Sequence, residues 1–271
     1  MSDARPVLVE HHPIGDHDAR VTILRLNRPE TLNAIDTTML DALDQALDGV
    51  ATDPASRCVL VTGTGRAFSA GGDLTSYLTL QRDAVAFPRF VTHLHETFGR
   101  LRTIPVPVIG LVNGVTAAGG LELLLRCDFG VAARSARIGD GHLNFGQMGG
   151  GGVLTLLPRA IGRERAAELL YTGRFLTADE AMAWGLVNRV VEDDALVPTG
   201  LELAAVIAEK SSLALAGAKE VLQSVWADNG PEAAGLRVER ERNNRYCLTS
   251  EDAQEGLRAF QEKRRPHFRG R

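Results

Sequence analysis

The residues best placed to do chemistry lie in Gly119-Gly120-Leu121-Glu122, just after the apolar run Val108-Ile109-Gly110-Leu111-Val112 and the turn Asn113-Gly114. The order is strand, turn, glycine-rich loop, then the leucine-rich start of a helix. The N–H groups that open a helix have no acceptor inside it, and the helix dipole favours negative charge there. Glu122 follows Gly119 by about one turn, which suits an acid or base beside an anion site. The same spacing also suits plain helix packing, with glycines for close approach and Glu122 in solvent.

A second loop of the same kind runs from Thr62 to Leu74, directly after the apolar strand Cys58-Val59-Leu60-Val61. It lacks the Gly-Lys-Ser/Thr ending of a P-loop and the glycines that flank a nucleophile-elbow serine, and its spacing fits no dinucleotide fingerprint. With Gly71-Gly72 here and Gly119-Gly120 above, one N–H from each loop could form a two-donor oxyanion hole. A third glycine-rich segment, from Gly139 to Gly152, carries Asp140 and His142. It reads as a loop shaped around a ligand, or as a mobile connector with His142 as polar filling. His11, His12 and His17, near Asp16 and Asp18, have no metal-ligand spacing and read as a solvated hairpin tip. His93 and His95 are two apart and cannot share a helical face.

The elements that must position these residues alternate. Val7-Leu8-Val9 and Val21 to Leu26 predict two strands. Asp36 predicts an N-cap for a helix from about Thr37 to Val50. A helix is expected from about Asp83 to Leu101, a strand from Cys127 to Ala133, and a capping box at Thr177-Ala178-Asp179-Glu180. Val187 to Val191 reads as a last strand. Helices follow near 194–209, 212–227 and 231–247, and from Glu251 to Lys263 behind a Ser250 cap. Helix feeding strand along the chain indicates α/β layering. The shift to all-helical sequence sets a boundary between 1–194 and 195–271.

Composition excludes several classes. The 271 residues are 44% hydrophobic and 24% charged, as in ordinary soluble enzymes. A net charge of -4 with 5% aromatics gives no basic, aromatic-studded surface for nucleic acid. No apolar run approaches membrane-spanning length, and no amino-terminal signal is evident, so a cytoplasmic location is expected. Three scattered cysteines, Cys58, Cys127 and Cys247, argue against a disulfide framework or a cysteine-based zinc site.

Five segments together resemble the enoyl-CoA hydratase/isomerase (crotonase) superfamily, over nearly the whole chain. They are Asn27-Arg28-Pro29 with Leu32-Asn33-Ala34, Gly65 through Leu74, Val112 through Leu123 with Cys127-Asp128, Leu170 through Val187, and Phe260 through Phe268. The resemblance implies a crotonase-like spiral of ββα repeats with a C-terminal helical trimerisation region, assembled as a homotrimer or homohexamer. It implies an acyl-CoA substrate, with coenzyme A part of that substrate, no separate cofactor and no metal. By position, Gly72 and Gly119 correspond to the two oxyanion-hole donors and Glu122 to the first catalytic glutamate. Arg28, Ala70, Gly71, Asp73, Leu74 and Gly120 fall in the substrate-binding segments, and Phe260 and Lys263 at positions that contact CoA.

One departure bears on mechanism. Where hydratases carry a second glutamate, this sequence has His142, in Gly139-Asp140-Gly141-His142. Histidine titrates near ~6.5 and exchanges protons as cation and neutral base. The expected activity is that of an enoyl-CoA hydratase or dehydratase with Glu122 as acid/base. Alternatives are double-bond isomerisation, hydrolytic C–C cleavage of a β-keto acyl-CoA by Glu122 and His142, or a catalytically silent acyl-CoA-binding protein. Asp140 is a reserve candidate should the loop register shift. Tyr77, Leu78, Phe87 and Phe90 are candidates for the acyl pocket.

Overall fold

The computed structural model describes residues 5–15, 19–228, 247 and 249–271. Strands β1 (Val7–Pro13) and β2 (Arg20–Leu26) pair antiparallel with Val7 opposite Leu26. Helix α1 (Thr37–Thr52) starts where the sequence places its cap: Asp36 Oδ1 accepts the Met39 N–H at 2.9 Å. Its buried face is Met39, Leu40, Leu43, Leu47 and Val50, the stripe that helical periodicity dictates.

A two-strand unit then recurs. Strand β3 (Ser56–Gly63) turns into the short β4 (Ala67–Ser69), and helices α2 (Leu74–Leu80) and α3 (Ala86–Thr103) carry the chain back. Strand β5 (Val108–Val112) turns into β6 (Val115–Ala117) and then α4 (Gly119–Leu124). Strand β7 (Phe129–Ala133) turns into β8 (Arg137–Gly139), followed by α5 (Val153–Ile161) and α6 (Arg163–Thr172). Next come β9 (Phe175–Thr177), α7 (Ala178–Trp184) and β10 (Arg189–Val191). The capping box that opens α7 is formed on both sides, by Thr177 and Glu180.

Each unit gives its long strand to one sheet and its short strand to another. The long strands lie in the order β1-β2-β3-β5-β7-β10, parallel from β2 onward. The short strands lie in the order β4-β6-β8-β9, with β9 antiparallel. This is the ββα spiral that the resemblance implies. The short strands escape periodicity because three residues cannot display an alternation. Side-chain amides make the β3–β4 corner instead. Asn113 Oδ1 accepts the Gly63 N–H (3.0 Å) while its Nδ2 donates to Gly65 O (2.9 Å). Asn33 Nδ2 donates to Ala67 O (2.8 Å) from the other side.

The larger core lies between the six-stranded sheet and helices α1 and α3 to α7. On the sheet's other face, Ile23, Leu60, Ile109 and Leu111 pack beneath α8 (Leu196–Ala208), which buries Leu196 and Ala204 there. Helix α9 (Ser212–Asp228) follows. Its Lys219, 6% exposed, donates to Leu101 O (2.9 Å) and Val106 O (2.8 Å) and pairs with Asp128 (2.9 Å). Burial pulls the Lys219 ammonium below its ordinary value, and Asp128 opposes that shift. Helix α10 (Glu251–Gln261) is anchored by the buried Asp252, which accepts from Ser211 Oγ (2.7 Å) and the Arg269 N–H (2.7 Å). The helix expected near 231–247 lies, Cys247 apart, outside the described residues, as do Asp16, His17 and Asp18. Among the described residues no helix is long and apolar enough to cross a membrane.

Replacing Lys219 with Met would strand two carbonyl oxygens and take the ammonium from Asp128, which keeps the Val108 N–H (2.7 Å). We expect a loss of about 3 kcal/mol in unfolding free energy, read from urea denaturation. A loss below about 1 kcal/mol would make this pair equivalent to a surface contact.

Candidate active site

One arginine gathers the first half of the site. Arg28 donates from Nη1 to Asp36 Oδ2 (2.7 Å) and Ala34 O (3.0 Å), and from Nη2 to Asp73 Oδ2 (3.2 Å). Each carboxylate uses its other oxygen to cap a helix, Asp36 for α1 and Asp73 for α2. A single guanidinium thus ties together two helix starts. Between them the Ile35 N–H donates to Gly71 O (2.8 Å) and the Asp73 N–H to Ile35 O (3.0 Å). Gly72 lies between these anchored neighbours, and its N–H has no acceptor among the described residues.

The second loop abuts the first. Gly71 has φ +95°, and a Cβ there would lie 2.6 Å from the Ala118 methyl and 3.0 Å from the Gly119 nitrogen. Ala118 itself sits at φ 48°, ψ -116°, a conformation costing a non-glycine residue on the order of 1–3 kcal/mol. Its N–H donates to Asp140 O at 2.6 Å. That strained residue is the cap of α4, so the helix begins abruptly at Gly119. The Gly119 N–H has no acceptor among the described residues, and the Glu122 N–H closes on Ala118 O (3.0 Å).

Glu122 is 1% exposed rather than solvated. Its Oε1 accepts the N–H groups of Gly151 (2.8 Å) and Val153 (3.2 Å). Burial pushes its carboxyl above the ordinary range; His142 and the two N–H donors pull the other way, and Asp140 adds to the rise. The four-glycine run has a steric reason. A Cβ on Gly151 would stand 2.6 Å from Glu122 Oε2, and one on Gly149 would stand 2.9 Å from Oε1 and 3.4 Å from His142 Cε1. These glycines sheathe the carboxyl group, and Gly149 lies against the histidine as well.

His142 opens a short 3₁₀ turn, His142–Phe145. Its Nδ1 lies 2.7 Å from Asp140 Oδ1, and its main-chain N–H donates to Asp140 Oδ2 (3.2 Å). Burial opposes the imidazolium, but the bond to Asp140 and the charges of Asp140 and Glu122 outweigh it and raise the histidine above its ordinary value. Asp140 and His142 line a cavity of about 650 Å³ together with Arg28, Ala70, Gly72, Asp73, Leu74 and Tyr77.

The remaining expected residues divide. Gly71, Gly119 and Glu122 are not among the residues that line the cavity, and Gly120 packs against the Ser69 carbonyl with no room for a side chain. Of the four aromatic and aliphatic candidates only Tyr77 lines the cavity, with its ring over Gly72. Leu78 is 66% exposed, while Phe87 and Phe90 stack edge-on against Tyr77 at 5.9 and 5.5 Å. Adjacent residues of a helix face different ways, which is why Tyr77 and Leu78 part. Lys263 is exposed and does not line the cavity, and the side chain of Phe260 lies outside the described residues. Sequence spacing misses Asp36, Asn144 and Phe175 as cavity residues; Asp36 signals only a cap. His93 pairs with Asp44 (2.9 Å) and His95 lies 3.4 Å from Arg126. Among the described residues no cluster of three metal-ligating side chains occurs.

Comparison with known proteins agrees with this architecture. The model of the enoyl-CoA hydratase/isomerase family matches residues 16–271. The chain is 36% identical over 262 residues to the 2,3-dehydroadipyl-CoA hydratase of Escherichia coli K12, covering 95% of this chain and 98% of that one. It is 32% identical over 256 residues to the crotonyl-CoA hydratase of Syntrophomonas wolfei, covering 94% and 96%. The crystal structure of an enoyl-CoA hydratase from Bacillus anthracis matches with a TM-score of 0.90 at 32% identity, over 98% of this chain and all of that one.

Gly71→Ala would add a methyl group at positive φ against Ala118. We expect a loss of about 2–4 kcal/mol, measured by chemical denaturation. A neutral substitution would mean that the two loops do not abut.

Proposed function

The chain belongs to the enoyl-CoA hydratase/isomerase family, and on that premise we propose that it adds water to an enoyl-CoA thioester or removes it in reverse. The observation that carries this reading is the convergence of Glu122 and His142 on Gly149, beside two loops whose Gly72 and Gly119 N–H groups have no acceptor among the described residues.

In this reading the thioester oxygen accepts from Gly72 and Gly119. Two fixed donors stabilise charge that develops only during reaction, and removing one such donor typically costs about 3–4 kcal/mol. Water sits between Glu122 and His142. Its oxygen bonds to Cβ, one proton passes to the acid–base pair, and the double-bond electrons move to the thioester oxygen as an enolate. A proton delivered to Cα collapses the enolate, for a net gain of one water. Burial keeps Glu122 protonated to higher pH than an ordinary carboxylic acid, which suits a proton donor at Cα. The histidine at the position of the second glutamate favours a second reading, hydrolytic C–C cleavage of a β-keto acyl-CoA. The C-terminal 195–271 region is proposed to mediate assembly into trimers or hexamers.

The test is mass spectrometry of crotonyl-CoA, 2,3-dehydroadipyl-CoA and β-keto acyl-CoAs incubated with the protein in heavy-oxygen water. Gain of one labelled water by an enoyl-CoA is expected. Label in a cleaved carboxylate moves the assignment to a hydrolase, and binding without turnover across the set makes the protein a silent binder. Glu122→Gln should lower kcat by about 10²–10⁴-fold with KM little changed. Unaltered kcat would remove Glu122 from the chemistry.

A further inference from the structure

We propose that Asp140 is a positioning residue that fixes the tautomer of His142, so that Nε2 is the ring atom that takes the proton from water. The inference deepens the acyl-CoA reading of the same site and rests on it for its kinetic test.

The geometry leaves little choice of tautomer. Asp140 is 1% exposed, and both of its carboxyl oxygens face His142, one toward Nδ1 (2.7 Å) and one toward the main-chain N–H (3.2 Å). A carboxylate only accepts, so the ring proton belongs on Nδ1. Nε2 is then the basic nitrogen, and it has no protein partner among the described residues. The Asp140 backbone is fixed too, because its carbonyl accepts the Ala118 N–H at 2.6 Å. The same residue therefore holds both the cap of α4 and the histidine.

The charged or titratable groups interacting with the ring are Asp140 from its own loop and Glu122 from α4. Tyr77, on α2, is pushed up to about 12 by burial and by Glu122, and is neutral at working pH. Arg28, Asp36 and Asp73 line the same cavity but are paired with one another. In the step itself a water O–H breaks as its oxygen bonds to Cβ, the proton goes to Nε2, and the electron pair moves to the thioester oxygen. Asp140 stabilises the imidazolium until the proton passes on to Cα, directly or through Glu122.

The first readout needs no substrate. Nitrogen-15 NMR of ring-labelled protein, with His142 assigned by its loss in His142→Gln, should show the Nδ1–H tautomer, titrating above about 6.5. An Nε2–H tautomer overturns the proposal. The second readout is kinetic. Asp140→Asn should lower kcat by about 10²-fold or more and move the acidic limb of the kcat/KM profile to lower pH. In a His142→Glu background, where no tautomer needs fixing, the same substitution should change kcat by less than about threefold. Equal losses in both backgrounds would make Asp140 merely structural and overturn the proposal. The Nδ1–H tautomer without turnover of any enoyl-CoA would uphold the pairing and reject the substrate reading.

Discussion

A carboxyl group held almost wholly out of water is the constraint on which the rest of this site depends. Glu122 is 1% exposed, and among the described residues no cation is bonded to it. Burying such a group is tolerable only with hydrogen-bond donors in place. Two backbone N–H groups, from Gly151 and Val153, provide them. A Cβ at 149 or 151 would run into the carboxyl oxygens, so the glycines there follow from the carboxylate. The segment that carries them also brings His142 against the same spot. Arg126 steadies that segment from behind by donating to Gly151 O at 3.1 Å.

The two-sheet spiral serves this arrangement. Each turn from a long strand into a short one sets down a loop at the same edge. The loops after β4 and β6 therefore end up side by side, with Gly71 against Ala118 and Gly119, which lie 47 and 48 residues further along the chain. Strain at Ala118 is held by what surrounds it, since its N–H is bound to the Asp140 carbonyl. Arg28 locks the opposite wall by bridging Asp36 and Asp73. The rigid parts thus fix the Gly72 and Gly119 N–H groups, which have no acceptor among the described residues.

Electrostatically the site pairs groups displaced from their ordinary behaviour in one direction for different reasons. Burial raises Glu122, whereas the histidine is raised by its anionic neighbours against the effect of burial. For Glu122 the raised value means a stability contribution that is complete below the ordinary carboxylic range and fades as pH rises through the raised value. For His142 it is complete below the ordinary imidazole value and is lost as pH rises through the elevated one. Both groups therefore favour the folded state less as pH rises.

The sequence by itself determined the glycine loops, the carboxylate one turn beyond Gly119, and the caps at Asp36 and Thr177. Each is a local signal: a residue type whose backbone freedom, hydrogen-bonding reach or charge acts within a few positions. It did not reveal the three-residue strands, the function of Gly149 and Gly151, the bridge from Arg28 to Asp73 across 45 residues, or which of Tyr77 and Leu78 faces the cavity. Nor did it pair Asp140 with His142, although they are only two apart. Periodicity says which face of an element is buried, not what buries it. Side-chain direction in a loop is settled by the groups packed around it, and only the tertiary structure brings those groups together.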